Sequence, residues 1–229
     1  GRPVEELAEL PLMTDPASRA TLDVLARIAR CALTEMDMNL LSVILCAAVE
    51  ISLEHGNCDS SCYAYEYFGV VAGWRFGDFE AGFRFGRLGR ELVERKGLRR
   101  FEALVSLTLA NRIVPWAKHV ASARELIRGA FDLANDSGDR VSAVSSCCVL
   151  VSNLLMSGEP LDEAEREAKA GLAFCRRAAF RDFVDAASTQ AAFIRSLPGR
   201  TRRFGSLDDD RFDELRMQGR FESQPHARV

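Results

Sequence analysis

Three histidines and seven cysteines carry the widest range of chemistry in this 229-residue chain. His55, Cys58 and Cys62 form H-x2-C-x3-C, a spacing zinc can use, and Cys46 is the nearest fourth donor in sequence. A structural zinc normally takes four ligands. The plainer reading is a helix-end histidine followed by thiols at a helix start, because free cysteine prefers burial. Cys147 and Cys148 are adjacent in an apolar segment. Neighbours on a helix point in different directions, so core packing is expected there rather than metal or redox chemistry. A nucleophilic cysteine needs a base and an electropositive cleft, and none of His55, His119 and His226 forms a readable pair with one. The only lysines are Lys96, Lys118 and Lys169, with no Gly-Lys dipeptide, so no P-loop is present. His-Arg-Asp and Asp-Phe-Gly are absent, which removes the kinase catalytic set. The expectation is a chain with no catalytic residue, no metal and no cofactor.

The elements that would carry these residues come from composition and periodicity. The chain is 48% hydrophobic and 28% charged, enough for an apolar core. A net charge of −3 gives no global pull toward nucleic acid or anionic membrane. The arginine clusters at Arg99-Arg100, Arg176-Arg177 and Arg200 to Arg203 alternate with acids and read as solvated helix ends. The longest apolar run, Met38 to Leu53, is interrupted by Asn39, Ser42, Glu50 and Ser52 and reads as a buried helix, not a bilayer span. Gly1-Arg2-Pro3-Val4 begins neither with Met nor as a signal peptide, which reads as a piece of a longer chain. An odd number of cysteines in apolar segments points to reduced thiols and a cytoplasmic protein.

Gly56, Gly97 and Gly138 stand 41 residues apart, each just after an amphipathic segment. A glycine in that place stops a helix in the left-handed conformation. One period further stands Ala179, where the segment still looks like a helix end but the stop is weaker. Turns at Gly77-Asp78, Pro115-Trp116 and Gly158-Glu159-Pro160 fall within the periods, so each period is an αα-hairpin. First helices are expected at about 16–34, 59–75, 99–114, 139–157 and 181–197, and second helices at about 37–55, 78–96, 118–137 and 160–178. No segment shows sustained period-2 alternation. The fold class expected is all-α, a right-handed α-solenoid of tetratricopeptide-like hairpins with a period of about 41 residues. Residues 1–14 form a lead-in, 15–198 the solenoid, and 199–229 a linker-like tail with at most a short helix near Phe212 to Met217.

Tyr65, Phe68-Gly69, Ala72, Ala81, Phe85 and Leu88 sit close to the tetratricopeptide pattern, with Gly69 and Ala81 expected to let the two helices approach. Further strings carry a resemblance to one family. They are His55-Gly56-Asn57, Ala64 to Gly69, Phe76 to Phe79, Phe83 to Leu88, Leu92 to Arg95, Val114-Pro115-Trp116 with His119, and Gly158 to Leu161. The chain resembles, over about Met13 to Leu215, the helical repeat region of very large signalling proteins. In that family a serine/threonine kinase-like domain and a STAND/AAA-type ATPase precede the repeats, and a GAF sensor and histidine kinase often follow. The ending from Ser223 to Val229 departs from the family's continuation, which would enter further hairpins. The resemblance implies a non-catalytic arm that contacts other domains or a signalling protein, without nucleic acid or membrane partners.

In tetratricopeptide geometry the first helices line a concave groove. By offset, the groove residues are Tyr63, Glu66 and Trp74, then Thr108, Arg112 and Trp116 one repeat later. Exposed tryptophan, tyrosine and arginine would serve as protein-binding anchors. The competing arrangement, and the expected one for large aromatics at repeat junctions, packs both tryptophans against the following second helix. A free-standing adaptor gripping a peptide in this groove is the second functional reading.

Overall fold

Five aspartates begin helices in the computed structural model, which describes residues 3–223. Asp15 accepts from the Ser18 N–H at 2.8 Å and opens α1 (Pro16–Thr34), with Pro16 in the first turn where its missing N–H costs nothing. Asp37 caps α2 (Met38–His55), and α3 (Asp59–Phe76) follows. Asp78 caps α4 (Phe79–Lys96) through the Ala81 N–H at 2.9 Å. The helix expected at about 99–114 is broken into α5 (Glu102–Thr108), a π turn (Leu109–Ile113) and α6 (Val114–Ala117). Next come α7 (Arg124–Ser137), α8 (Arg140–Met156), capped by Asp139, α9 (Leu161–Ala178) and α10 (Arg181–Ser196). Asp213 caps α11 (Glu214–Glu222). The described residues are 78% helical and contain no strand.

The helix stops follow the glycine series with one variation. Gly97 and Gly138 are left-handed caps at φ 70° and 74°. Ala179 takes the same conformation at φ 60° without the freedom of glycine. Gly56 has φ 95° and ψ −175° instead, and a Cβ there would lie 2.2 Å from the Pro11 carbonyl oxygen. That approach lets the lead-in pair with Asn57, whose N–H donates to Pro11 O and whose O accepts from Met13 N, both at 2.8 Å.

The chain divides into two compact units, Gly1–His119 and Val120–Val229. In the first, α3 is buried on nearly every side, including Ser60, Ser61 and Glu66. Its neighbours supply two apolar clusters, one with Leu22, Val49, Leu88 and Leu92, the other with Ala29, Leu41, Ile44 and Leu45. The lead-in belongs to this core: Leu7, Ala8, Leu10 and Met13 are buried. The close approach of α3 and α4 is made by Gly69 and Gly82, not Ala81. A Cβ on Gly69 would lie 2.6 Å from Gly82 O, and one on Gly82 would lie 2.7 Å from Gly69 O.

The α2 helix is not the buried helix its apolar run predicts. Leu41, Ile44, Leu45 and Ala48 pack inward, while Leu40, Val43 and Leu53 are exposed. By length and composition alone it is apolar enough to cross a membrane.

In the second unit, Val151, Leu154, Ala164, Ala168, Ala191 and Ile194 form one cluster. Residues 199–223 are not linker-like. Phe212 is buried, Arg195 pairs with Asp209, Arg200 pairs with Glu165 at 3.0 Å, and Arg220 of α11 pairs with buried Asp185 at 2.7 Å. The charges that mark this segment as solvated in the sequence are the groups that fasten it.

Candidate interaction site

The helix formed by α5, the π turn and α6 breaks at a place its sequence explains. Pro115 has no N–H to give to the carbonyl of Asn111, four residues earlier. Instead the Val114 N–H reaches back five residues to Leu109 O, the bond of a π turn. The turn sits over Gly86, where a Cβ would lie 2.7 Å from Ile113 Cδ1 and 2.9 Å from Leu109 Cδ1. The widened turn leaves Asn111 and Arg112 on the surface while Leu109, Ala110 and Ile113 stay buried.

Around this turn lies an open pocket of about 380 Å³. Trp74 from the last turn of α3, Phe79 from the start of α4, Arg112, Trp116, and Met36 and Met38 from the α1–α2 connection are among its walls. Trp74 is 60% exposed and Trp116 is 65% exposed. The Trp116 ring stacks on Phe79, with centroids 5.2 Å apart and planes 17° apart. Phe79 in turn covers Gly73, where a Cβ would meet its ring at 2.9 Å. Met36 holds its backbone at φ 56°, a conformation uncommon for a bulky residue. Arg112 is the one charged residue on the pocket wall, and it has no ion pair or side-chain hydrogen bond among the described residues.

The six sequence-predicted groove residues therefore separate. Trp74, Arg112 and Trp116 meet at the pocket. Tyr63, Glu66 and Thr108 do not reach it and are buried. The α1–α2 hairpin covers the α3 face on which Tyr63 lies, and the Tyr63 ring packs tilted against Tyr67 at 4.5 Å between ring centroids. Thr108 donates from Oγ1 to the Tyr67 hydroxyl at 3.4 Å. Glu66 is wholly enclosed, and neither carboxyl oxygen has a hydrogen-bond partner. Burial pushes its carboxyl well above the usual range. The nearby Leu109 N–H, already bonded to the carbonyls of Val105 and Ser106, opposes that only in part.

The tryptophans are not packed away either. Trp116 rests on Phe79 yet keeps most of its surface open, and Trp74 projects where α3 leaves the core. Met36, Phe79 and Gly73 complete the pocket without standing in the groove pattern. Pro115, four residues after Asn111, is the sequence signal for the outward turn that carries Arg112.

The thiol and histidine candidates lie elsewhere. Cys58 and Cys62 are buried at the start of α3, while His55, at the end of α2, is exposed beside Glu54. Among the described residues no three His, Cys, Asp or Glu side chains come together to hold a metal. His226 lies outside the described residues.

Chemically the pocket offers two indole faces, a phenyl ring, two thioethers and one free guanidinium. It holds no nucleophile beside a base. Such a surface is complementary in chemistry to an apolar or aromatic side chain with a carboxylate next to it.

No family model matches the chain. Among curated proteins it is similar to hybrid signal transduction histidine kinase G of Dictyostelium discoideum, with 25% identity over 165 residues. That alignment covers 71% of this chain and 5% of the relative, so the chain spans about 5% of that protein's length. The similarity and the all-helical fold together fit a helical region of a signalling protein.

Proposed function

We propose that this chain is a non-catalytic, protein-binding helical-repeat region of a cytoplasmic signal-transduction protein, built of tetratricopeptide-like hairpins in a right-handed α-solenoid with a period near 41 residues. The parent would be of the STAND/AAA ATPase type with kinase modules, and the repeats would contact either its other domains or a separate signalling protein. The observation that carries the binding role is the pocket of Trp74, Phe79, Arg112 and Trp116. Two largely exposed tryptophans beside an unpaired arginine form a concentrated apolar patch with one charge. Patches of that kind mark interaction sites, and tryptophan and arginine dominate their binding energy. The similarity to a histidine kinase supports the signalling context. The recurrence of Gly56, Gly97, Gly138 and left-handed Ala179 supports the repeat reading.

The mechanism follows from differential binding. A domain that offers its acidic, apolar segment in only one nucleotide state would be held by the pocket in that state and shift the switch toward it. Met36 sharpens the case. A left-handed non-glycine residue on a pocket wall retains a backbone cost of about 1 kcal/mol. Replacing Met36 with glycine is expected to raise the unfolding midpoint while weakening ligand binding. Peptides selected from a random display library against the whole chain supply the probe. Selected sequences should pair an aromatic or large apolar anchor with Asp or Glu, and should lose at least about tenfold in affinity for Trp74→Ala and Trp116→Ala. Selection of peptides that bind these variants unchanged would reject the pocket.

A further inference from the structure

The second unit gathers three thiols at one helix crossing. Cys147 and Cys148 of α8 pack against the buried apolar cluster that contains Cys175 of α9. Cys175 is fully buried and packs with Val144 and Ala187. The helices are tight here: a Cβ on Gly171, one turn before Cys175, would lie 3.1 Å from the Cβ of Cys147. Cys147 and Cys148 are half-buried, and all three thiols are free. Cys147 also lines an open pocket of about 410 Å³ with Phe131, Phe174 and Arg177. The adjacency of Cys147 and Cys148 thus points away from chemistry only within α8. Across the seam, Cys175 shares one packed cluster with both.

We propose that this cluster is an oxidation site, in which Cys175 is the shared partner of two alternative interhelical disulfides, one to Cys147 and one to Cys148, formed with a hydroperoxide that enters through the pocket. A disulfide between Cys147 and Cys148 themselves is excluded while α8 stays helical, because successive Cβ atoms diverge around the helix. Loss of the Cys147 proton to water leaves a thiolate on the sulfur at the pocket. That sulfur attacks the terminal peroxide oxygen. An S–O bond forms, the O–O bond breaks, and the alkoxide takes a proton from water and leaves as the alcohol. The sulfur has lost two electrons and the peroxide has gained them. The Cys175 sulfur next attacks Cys147. The S–S bond forms, the S–O bond breaks, and hydroxide leaves with the Cys175 proton as water. Two thiols and one hydroperoxide have become one disulfide, one alcohol and one water. Cys148, also partly exposed, reaches the second disulfide by the same two steps or by exchange, its thiolate attacking Cys175 and releasing Cys147 as thiolate.

The test is peptide mapping of the native full chain after brief hydrogen peroxide treatment, with trypsin and without reductant. The expected product joins Val141–Arg166 to Ala170–Arg176 with the loss of two hydrogens. The link should persist in Cys147→Ser and in Cys148→Ser and vanish in Cys175→Ser. The wild-type map needs no variant, and the two α8 variants carry the assignment if Cys175→Ser fails to fold. Absence of the link in wild type at a dose that oxidises exposed Cys31 and Cys46 would overturn the proposal. So would its loss in either α8 variant, or an α8 cross-link to another cysteine in Cys175→Ser.

Discussion

Where α3 crosses α4, two backbones touch through Gly69 and Gly82; where α8 crosses α9, Gly171 meets a side chain, that of Cys147. Ser152 of α8 keeps a hydroxyl that accepts from Gln190 Nε2 at 2.9 Å instead of yielding space. The first seam has no atoms to give way. It fixes the hairpin rigidly, sends the end of α3 out of the core, and leaves Trp74 on the surface beside the π turn. The second seam is closed by the Cys147 Cβ at 3.1 Å, a contact relieved by a few tenths of an ångström of movement, with thiols packed beside it. A rigid crossing presents a shaped surface, and a softer one stores chemistry inside.

The largest effect should come from adding one methyl to each seam. Gly69→Ala is expected to cost about 3 kcal/mol, because a backbone carbonyl cannot move aside. Gly171→Ala should stay within about 1 kcal/mol of the parent, since the Cys147 Cβ stands off at 3.1 Å and alanine favours the helix. Urea unfolding of both variants checks this, and equal losses would erase the difference between the seams.

Glu66 tests how rigid the first unit is. Its carboxyl binds a proton more tightly folded than unfolded, so the folded state holds more protons above the unfolded value near 4.5. Stability should therefore fall as pH rises through that window, with a slope approaching about 1.4 kcal/mol per pH unit, and level off once the folded group ionises. Glu66→Gln should flatten this slope and be more stable than the parent at the upper end. An unchanged pH profile for the variant would mean the region opens to hydrate the carboxylate.

Helix stops at one phase differ by about 1 kcal/mol in the opposite sense. Ala179→Gly should stabilise and Gly138→Ala destabilise by that amount, read as shifts of the thermal midpoint. The smallest effect on stability is expected at the pocket, where Trp74→Ala and Arg112→Glu should lie within about 0.5 kcal/mol of the parent because neither side chain is packed in the core.

Much of the architecture was legible because it is local. Asp-capped starts at Asp15, Asp37, Asp78 and Asp139 and the glycine stops mark helix ends within a few residues. The break at Leu109–Ile113 was less visible, although Pro115 carries it, because a proline near a turn reads equally as a helix end. Tyr63, Glu66 and Thr108 were misplaced for a tertiary reason. An offset along α3 and α5 gives the phase of a face, but only the α1–α2 hairpin and the Tyr67 hydroxyl decide that the face is covered. The folded tail was hidden by composition, because Arg195, Asp209 and Arg220 read as solvated until their partners are known. The thiol cluster was hidden the same way, since its third member stands on another helix.

The most direct test of the central claim is titration of a display-selected acidic, aromatic peptide into the chain and into Arg112→Glu at matched folding stability. At least about a tenfold loss of affinity is expected in the variant, partly restored when the peptide's acid is changed to lysine. Equal affinity for both proteins, with the unfolding midpoint unchanged, would contradict it.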